Sequence, residues 1–346
     1  MVDHKKSAPL HLDVLIPGLF EGLSHWPENH EIAVSILALP ALLSRANFNR
    51  QSITGFEPAL FHCFDPELTL GEELPVAALR PGMTDKPVMC ADPVHMEIGT
   101  TGINLIAGND LKLTQAELAE MAELLNNFLQ AENCRISFDQ DGGGILQLPE
   151  WADVHTTALS AVGGQLLTEK LPLGPDQAWW HKLGNEIQML LHNTAFNQER
   201  EAAGKLPVNT LWFWGGGELT RPLKPRYQLI CSDHPFAKSL ARQSDTEIIS
   251  ILESKPRLLQ TTSKLKVLLV LDELLAYSQA DDYLGWTEQM TLYDQQWFRP
   301  LKKALENAAI KSLSIKSTTG ECFDLYPYHR WRFWRGQRAL KSWIKQ

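Results

Sequence analysis

The sequence predicts an α/β protein: a parallel-rich core sheet with an inserted α+β domain. Three observations carry this. Strand-like and helix-like segments alternate in both end portions of the chain, as in βαβ units. Val267 to Leu271 is apolar throughout, the pattern of a strand covered on both faces. The middle portion has strands and helices of its own, which asks for a separate layered unit. With 346 residues the chain has room for two domains at roughly 150 residues each.

Leu12 to Pro17 reads as the first strand, closed by Gly18. Ile32 to Ala46 reads as helix, re-started or kinked at Pro40, and Phe56 to Phe64 as a short helix. Leu74 to Leu79 runs into a break at Pro81-Gly82. Val88 to Ile106 reads as two strands turned around Gly99 to Gly102. Thr114 and Glu117 form a T-x-x-E capping box. Leu118, Met121, Leu124, Leu125, Phe128 and Leu129 follow it at helical spacing, so one face is core. Arg135 to Phe138 and Ile145 to Leu148 flank Asp141-Gly142-Gly143-Gly144, a hairpin signal. Asp176 to His192 carries Trp180, Leu183, Ile187, Leu190 and Leu191 on one stripe, a second helix. Asn193 to Lys205 is a polar segment.

Beyond Arg221-Pro222 to Pro225, a linker back to the first domain, Tyr227 to Cys231 is strand-like. Met290, Asp294, Trp297, Leu301, Leu305 and Ala308 suggest one or two amphipathic helices, broken or kinked at Pro300. Leu313 to Ser317 and Cys322 to Leu325 bracket Thr318-Thr319-Gly320, another hairpin. The breaks give a core of residues 1–88 and 222–346 and an inserted substrate or lid domain of residues 89–221.

The net charge of −9 argues against nucleic-acid binding, which needs a basic footprint. Cys63, Cys90, Cys134, Cys231 and Cys322 are scattered, with no C-x-x-C, as suits reduced thiols in a cytoplasmic protein. The N-terminus has no apolar stretch of signal-peptide type. The longest apolar run, Ile32 to Leu43, is too short to span a bilayer.

Leu206 to Gly217 reads LPVNTLWFWGGG. Leu211 to Trp214 sets large side chains on both faces, as a short buried strand does. Gly215, Gly216 and Gly217 then free the backbone for positive φ or close approach. Bare amides at a strand end suit a phosphate or carboxylate; the alternative is a tight turn leaving a core strand. Their place beside the return linker predicts that they line a cleft between domains, where ligand sites concentrate.

Leu190-Leu191-His192, Asn197, Arg200, Gly204, Pro207-Val208-Asn209 and Trp212-Phe213-Trp214-Gly215-Gly216-Gly217 resemble a known segment. It is the L-x-x-H-P-x-N-x-x-R-x-x-G-x-x-P-A-N-x-x-W-x-W-G-x-G of archaeal-type cofactor-independent phosphoglycerate mutases. The chain is closer still to a bacterial offshoot, the regulatory protein RpfE-type family. That likeness rests on Ala91 to Met96, the LPVNTLWFWGGG stretch and Arg332 to Arg335. The resemblance implies an alkaline-phosphatase-like core sheet built from the two chain ends. It also implies two divalent metals on Asp and His at strand ends and a Ser nucleophile.

The chain departs from that pattern where the chemistry should be. Pro17-Gly18 stands where the family shows an Asp-Gly ligand turn, Gly55-Phe56-Glu57 where it shows the nucleophile, and Thr318-Thr319-Gly320 where it shows an Asp-His pair. Asp272-Glu273 retains one ligand position, but no histidine lies between His234 and His329. No metal and no cofactor are therefore expected. The expected function is that of a catalytically inactive, phosphoglycerate-mutase-like protein, a pseudoenzyme with a regulatory or small-anion-binding role. The alternative is a metal-dependent mutase or phosphatase with a rearranged site using Asp272 and Glu273.

The expected ligand is a small phosphorylated or carboxylated molecule held by His155, Asn197, Arg200, Asn209, Trp214, Gly215, Gly216 and Gly217. Arg200 would supply the bidentate anion contact. Asp92, His95 and Glu97 read as structural hydrogen-bonders, with His95 and Glu97 on one strand face and Asp92 on the other. Asp233-His234-Pro235 reads as a turn. Ser52, Ser160 and Ser232 lack the G-x-S-x-G context, and there is no Walker or G-x-G-x-x-G loop. From His329 to Gln346 the chain has six Lys/Arg and no acid, with Trp331, Phe333, Trp334 and Trp343 interleaved. That tail either meets an acidic partner, an anionic membrane or a nucleic acid, or packs its rings on the core and pairs its cations with the acidic body.

Overall fold

The structure, a computed structural model, describes residues 10–24, 26, 36–67, 73–80, 86–99, 102–162, 170–260 and 265–344. The break expected at Pro81-Gly82 and the first residues of the helix expected from Ile32 lie outside them. The chain opens with β1 (Leu10–Ile16), α1 (Ala38–Arg45), β2 (Asn47–Arg50) and α2 (Phe56–Phe64). Its middle supplies α3 (Val76–Leu79), β3 (Val88–Gly99), β4 (Gly102–Ala107), α4 (Gln115–Leu129) and β5 (Arg135–Phe138). Then come β6 (Gly144–Gln147), α5 (Gln177–His192), α6 (Ala195–Ala202) and β7 (Thr210–Trp214). The last part holds β8 (Leu229–Cys231), α7 (Pro235–Gln243), β9 (Glu247–Ile249), α8 (Ile251–Gln260) and β10 (Leu265–Val270). It ends with α9 (Glu273–Gln279), α10 (Tyr283–Tyr293), α11 (Arg299–Glu306), β11 (Ile310–Ser317) and β12 (Glu321–Leu325).

Two units result: Met1–Glu67 with Leu223–Gln346, and Leu68–Pro222. The first boundary falls at Glu67, ahead of the residue 88 expected from the sequence. The cause is local. α3 packs on β3, and Arg80 pairs with Asp92 of that strand at 3.2 Å, so residues 73–80 go with the insert.

The core unit is a seven-stranded sheet in the order β2-β12-β11-β1-β10-β8-β9. β11, β1, β10, β8 and β9 run parallel, while β12 and β2 close one edge antiparallel. Strand alternation sorts the side chains. Leu12, Val14, Val267, Leu269, Leu313 and Ile315 enter one apolar core with Trp286, Phe298 and Phe323. The alternate residues form a polar layer: His11 bonds Ser312 at 2.8 Å, Lys316 and Tyr227 reach Asp13 at 3.0 and 2.8 Å, and Ser314 reaches Asp324 at 2.6 Å.

The inserted unit is a five-stranded antiparallel sheet, β4-β3-β6-β5 with β7 also paired to β3. Helices α4 and α5 bury Leu118, Met121, Leu125, Trp180, Leu183 and Ile187 in its core. The Thr114–Glu117 capping box is formed in both directions. The α/β core sheet with an inserted α+β unit is thus the observed architecture.

Some local expectations hold and others change. Pro40 lies in the first turn of α1, as expected of a helix re-started there, and Pro300 lies at the start of α11, just after the α-helical run is interrupted. Between α10 and α11, Asp294–Phe298 is a π-helical turn. The polar segment after His192 contains α6, started by a Thr194 side-chain cap. α7, α8 and α9 are further helices, each of ten residues or fewer, that the sequence analysis did not assign. None of the five cysteines forms a disulfide, and all are buried. Among the described residues no helix is long and apolar enough to cross a membrane.

One buried carboxylate ties these elements together. Asp294, fully buried, accepts from the Ala38 and Leu39 amides at 2.8 and 3.0 Å and from Arg299 Nε at 3.0 Å. Asp294→Ala leaves the α1 amides without an acceptor and should cost about 1–3 kcal/mol. Asp294→Asn keeps one acceptor and should cost less. Urea unfolding measures both, and two variants within about 0.5 kcal/mol of wild type would contradict this role.

Candidate functional site

In a parallel sheet, chemistry collects where strands end and helices begin. Four such ends lie side by side on β8, β10, β1 and β11. β1 runs into Pro17-Gly18. Gly18 has φ +77°, and a Cβ there would lie 2.5 Å from the Leu274 carbonyl carbon. Its carbonyl accepts Trp286 Nε1 at 2.7 Å. Backbone therefore packs directly on backbone where the resemblance implied a ligand turn.

The next carboxylate along, Glu21, is turned inward. Thr318 Oγ1 donates to its Oε1, and the Phe20 amide donates to Oε2 at 3.1 Å. Burial pushes the Glu21 carboxyl above its ordinary value. The Thr318 carbonyl accepts the Gly55 amide at 2.9 Å. At the same turn Ser317 and Thr319 both donate to Glu321 at 2.5 Å. The two positions implied as nucleophile turn and Asp-His pair are thus bound to each other and to neighbouring side chains.

On the other two strands, His234 caps α7, its Nδ1 accepting the Phe236 amide at 3.2 Å. Its ring meets Phe56 edge-on at 4.5 Å, and burial lowers its pKa to about 4, so it is neutral. Asp233 accepts the Ile251 amide at 3.2 Å. Glu273 accepts the Tyr293 hydroxyl. Burial raises the carboxyls of Asp272 and Glu273, and the nearby Asp233 charge adds to both. Among the described residues no group of three or more His, Cys, Asp or Glu is placed to hold a metal. The donor set does not fit a two-metal centre, which needs several such ligands converging on one point.

In the inserted unit, β7 is buried at every residue, as its sequence predicts. The amides of Gly215 and Gly216 do hold a carboxylate, but it is the chain's own. Glu73 Oε1 accepts from Gly215 N at 3.0 Å and Gly216 N at 3.3 Å. Thr156 N donates to Oε2 at 2.7 Å, and Thr156 Oγ1 donates to Oε1. Gly215 N also reaches Thr156 Oγ1 at 2.9 Å. Burial raises the Glu73 carboxyl above its ordinary range, against the pull of these donors.

Gly217 approaches Glu73 from the other side: a Cβ on it would lie 2.1 Å from the Glu73 carbonyl oxygen. All three glycines are buried, so their amides meet Glu73 and its surroundings instead of an open cleft. Sequence reasoning missed Glu73 and Thr156. Thr156 adjoins the candidate His155, whereas Glu73 sits in an ordinary Glu-Glu-Leu-Pro run.

The other expected ligand contacts are internal. Arg200 is only 2% exposed. Its Nη1 pairs with Glu117 at 2.9 Å, and Nε and Nη2 donate to the Leu206 and Leu111 carbonyls at 2.8 and 2.7 Å. The anion contact expected of it is therefore filled by Glu117. Asn197 staples α6 to the β7 approach, bonding the Leu191 carbonyl and both backbone groups of Val208. Asn209 exchanges hydrogen bonds with the Met96 backbone at 2.8 and 2.9 Å.

Trp214 Nε1 donates to Asp92 Oδ2 at 2.6 Å, and that carboxylate also takes Arg80 and the Gly144 amide. His155 is exposed, and its backbone pairs with Leu173. His95 bonds Glu97 across one strand face at 3.2 Å, apart from Asp92.

The tail divides. Leu340 and Trp343 are buried against the core. Arg332, Arg335 and Lys341 donate to the carbonyls of Arg45, Ala46 and Trp26, not to carboxylates. Trp331, Phe333 and Trp334 stay exposed.

No protein-family model matches the chain. Over 60 residues it is 35% identical to the "Probable 2,3-bisphosphoglycerate-independent phosphoglycerate mutase" of Geobacter sulfurreducens. That match spans 17% of this chain and 15% of that protein's length. Among solved structures, the PH0037 protein from Pyrococcus horikoshii aligns with a TM-score of 0.50 at 11% identity, over 92% of this chain and 88% of that one. The cofactor-independent phosphoglycerate mutase from Thermoplasma acidophilum aligns over 91% and 89%, at 14% identity and a TM-score of 0.38. The Pyrococcus likeness extends over both units and shows a shared mixed α/β fold.

These contacts generate two predictions. Gly216→Ala meets the flexible end of Met89 at 2.7 Å and the Val88 carbonyl oxygen no closer than 3.3 Å, whereas Gly217→Ala meets the Glu73 carbonyl oxygen at 2.1 Å. Gly217→Ala should therefore cost at least about 2 kcal/mol and Gly216→Ala about 1 or less; equal costs in urea unfolding would contradict the packing. For Glu21, the raised carboxyl favours the folded chain while protonated. That contribution is full below the ordinary value of 4.5 and is lost as pH rises through the folded value. Glu21→Gln keeps an acceptor for Thr318 and removes the loss. Its melting temperature should exceed wild type near neutral pH and converge with it in acid; a gap that widens on acidification would contradict this.

Proposed function

We propose that this chain is a phosphoglycerate-mutase-like protein that acts by binding, with a regulatory or small-anion-binding role in place of mutase chemistry. One observation carries the reading. The strand-end groups where a phosphomutase needs converging metal ligands and a free nucleophile are engaged in internal hydrogen bonds: Glu21 with Thr318, Gly55 with the Thr318 carbonyl, and Glu273 with Tyr293. The fold is kept while the polar groups hold elements together.

The anion site of this reading is the donor cluster of Gly215 N, Gly216 N, Thr156 N and Thr156 Oγ1. Glu73 lies there as a small carboxylate ligand would. A carboxylated or phosphorylated ligand binds by displacing it, with exposed His155 beside Thr156 as a further contact. Arg200, Asn197 and Asn209 support the site from inside and do not touch ligand.

A second reading, a phosphatase or mutase with a rearranged metal site, would use Asp272 and Glu273 at the end of β10. Turnover of a phosphoglycerate or an aryl phosphate in the presence of manganese, abolished by Asp272→Asn, would favour it.

The binding reading is tested at Glu73. Glu73→Ala empties the donor cluster, so acetate or phosphate should raise the melting temperature of the variant and leave wild type nearly unchanged. A panel of phospho- and carboxylic acids at millimolar concentration should yield at least one that stabilises wild type. No response from either protein to any anion would sink the proposal.

A further inference from the structure

The tail beyond β12 presents a surface that the binding role does not use. After β12 the chain makes a short 3-10 turn, Pro327–Trp331. Four large rings then stand out of the surface: Tyr328 at 59% exposure, Trp331 at 61%, Phe333 at 75% and Trp334 at 69%. Phe333 and Trp334 meet edge to face at 5.6 Å, and so many exposed rings within seven residues mark an interaction site.

The segment that bears them is anchored. Arg332 Nη1 donates to the Arg45 carbonyl and Asn47 Oδ1 at 2.9 and 2.8 Å. Arg335 Nη1 donates to the Ala46 carbonyl at 2.9 Å, and the Arg338 amide to Ser44 Oγ at 2.9 Å. Arg330 Nη1 holds the Glu306 carbonyl at 2.6 Å, with its guanidinium 4.9 Å from the Trp331 ring centre. His329, between the rings and the core, is buried. Beyond the segment, Leu340 and Trp343 pack into the core. The rings are thus carried on a pinned strap whose ends are fixed.

Charge and order choose the partner. From His329 onward the chain has six Lys/Arg and no Asp or Glu, in a protein of net charge −9. Bonds to the carbonyls of Glu306, Arg45 and Ala46 hold the guanidinium groups of Arg330, Arg332 and Arg335 against the body, while the rings reach outward. Each of these guanidinium groups has an arm already engaged, which weakens the bidentate forks that pair with carboxylates or single phosphates. Their charge remains and attracts an anionic surface as a whole. Rings outermost with cations behind them is the order of a lipid interface, where aromatics reach the acyl boundary and Lys/Arg meet the headgroups.

We infer that the Tyr328–Trp334 face docks this protein peripherally on an anionic lipid surface. Each Lys or Arg near such a surface adds attraction, and each inserted ring adds its own apolar burial.

The test is co-sedimentation of the full chain with vesicles of phosphatidylglycerol in phosphatidylcholine, and with phosphatidylcholine alone. The chain should pellet with the anionic vesicles, release at high salt, and bind neutral vesicles weakly. The triple variant Trp331→Ser, Phe333→Ser, Trp334→Ser should lose about tenfold or more in partitioning at an unchanged melting temperature. As an independent readout, brominated lipid should quench tryptophan emission of wild type and quench the Trp331→Phe, Trp334→Phe variant less. The inference is overturned if the chain ignores anionic vesicles or the triple variant partitions like wild type. It is equally overturned if the same variants instead abolish self-association or a shift of single-stranded RNA.

Discussion

The fold depends on β1 pairing with both β10 and β11. Leu10 lies opposite Leu265 on one side and Ile310 on the other, and the pairing continues in parallel along the strand. Parallel strands cannot be joined by a tight turn, so each neighbour must arrive by a crossover. One such excursion has grown into the whole inserted unit. The centre of the sheet is therefore assembled from residues far apart in sequence, and the strand ends collect around β1. The turns just past Ile16, Cys231, Val270 and Ser317 are where a parallel sheet gathers its ligand sites.

At those ends the recurrent feature is closure. Donors meet the carboxylates here: Thr318 for the half-buried Glu21, and the Tyr293 hydroxyl and the Ile251 amide for the exposed Glu273 and Asp233. The same logic governs the inserted unit. Glycine amides at the end of β7 form a good anion cradle, and the fold supplies Glu73 to fill it. Burial raises the Glu73 carboxyl against the pull of these donors.

Much of the fold was legible in the sequence, for physical reasons that differ between elements. The capping box at Thr114, the Gly-rich hairpin after Phe138 and the apolar run at Val267 are local signals, and local signals survive folding. Pro40 and Pro300 were legible too, because proline marks where an α-helical run starts or is interrupted. α7 and α9 were missed because short helices owe their stability to tertiary packing more than to pattern.

At the candidate site, the sequence drew attention to glycine amides that the structure finds holding Glu73, and to side chains, Arg200 and Asn197, that it finds bonded within the unit. Gly215 and Gly216 were recognisable because glycine freedom is a property of the residue. Arg200 and Asn197 looked like ligand contacts because a buried guanidinium and a ligand-binding one are the same residue type; only their partners, Glu117 and Val208, tell them apart. Glu73 carried no signal, since its role exists only once residues far from it in sequence are brought beside it.

The most direct test of the account is the metal content of the full chain after equilibration with manganese and zinc and removal of the unbound ions. Closure of the strand ends predicts well under one ion per chain. A stoichiometry of about two ions per chain, lost on replacing Asp272 with Asn, would contradict it and restore a catalytic centre to the ends of β8 and β10.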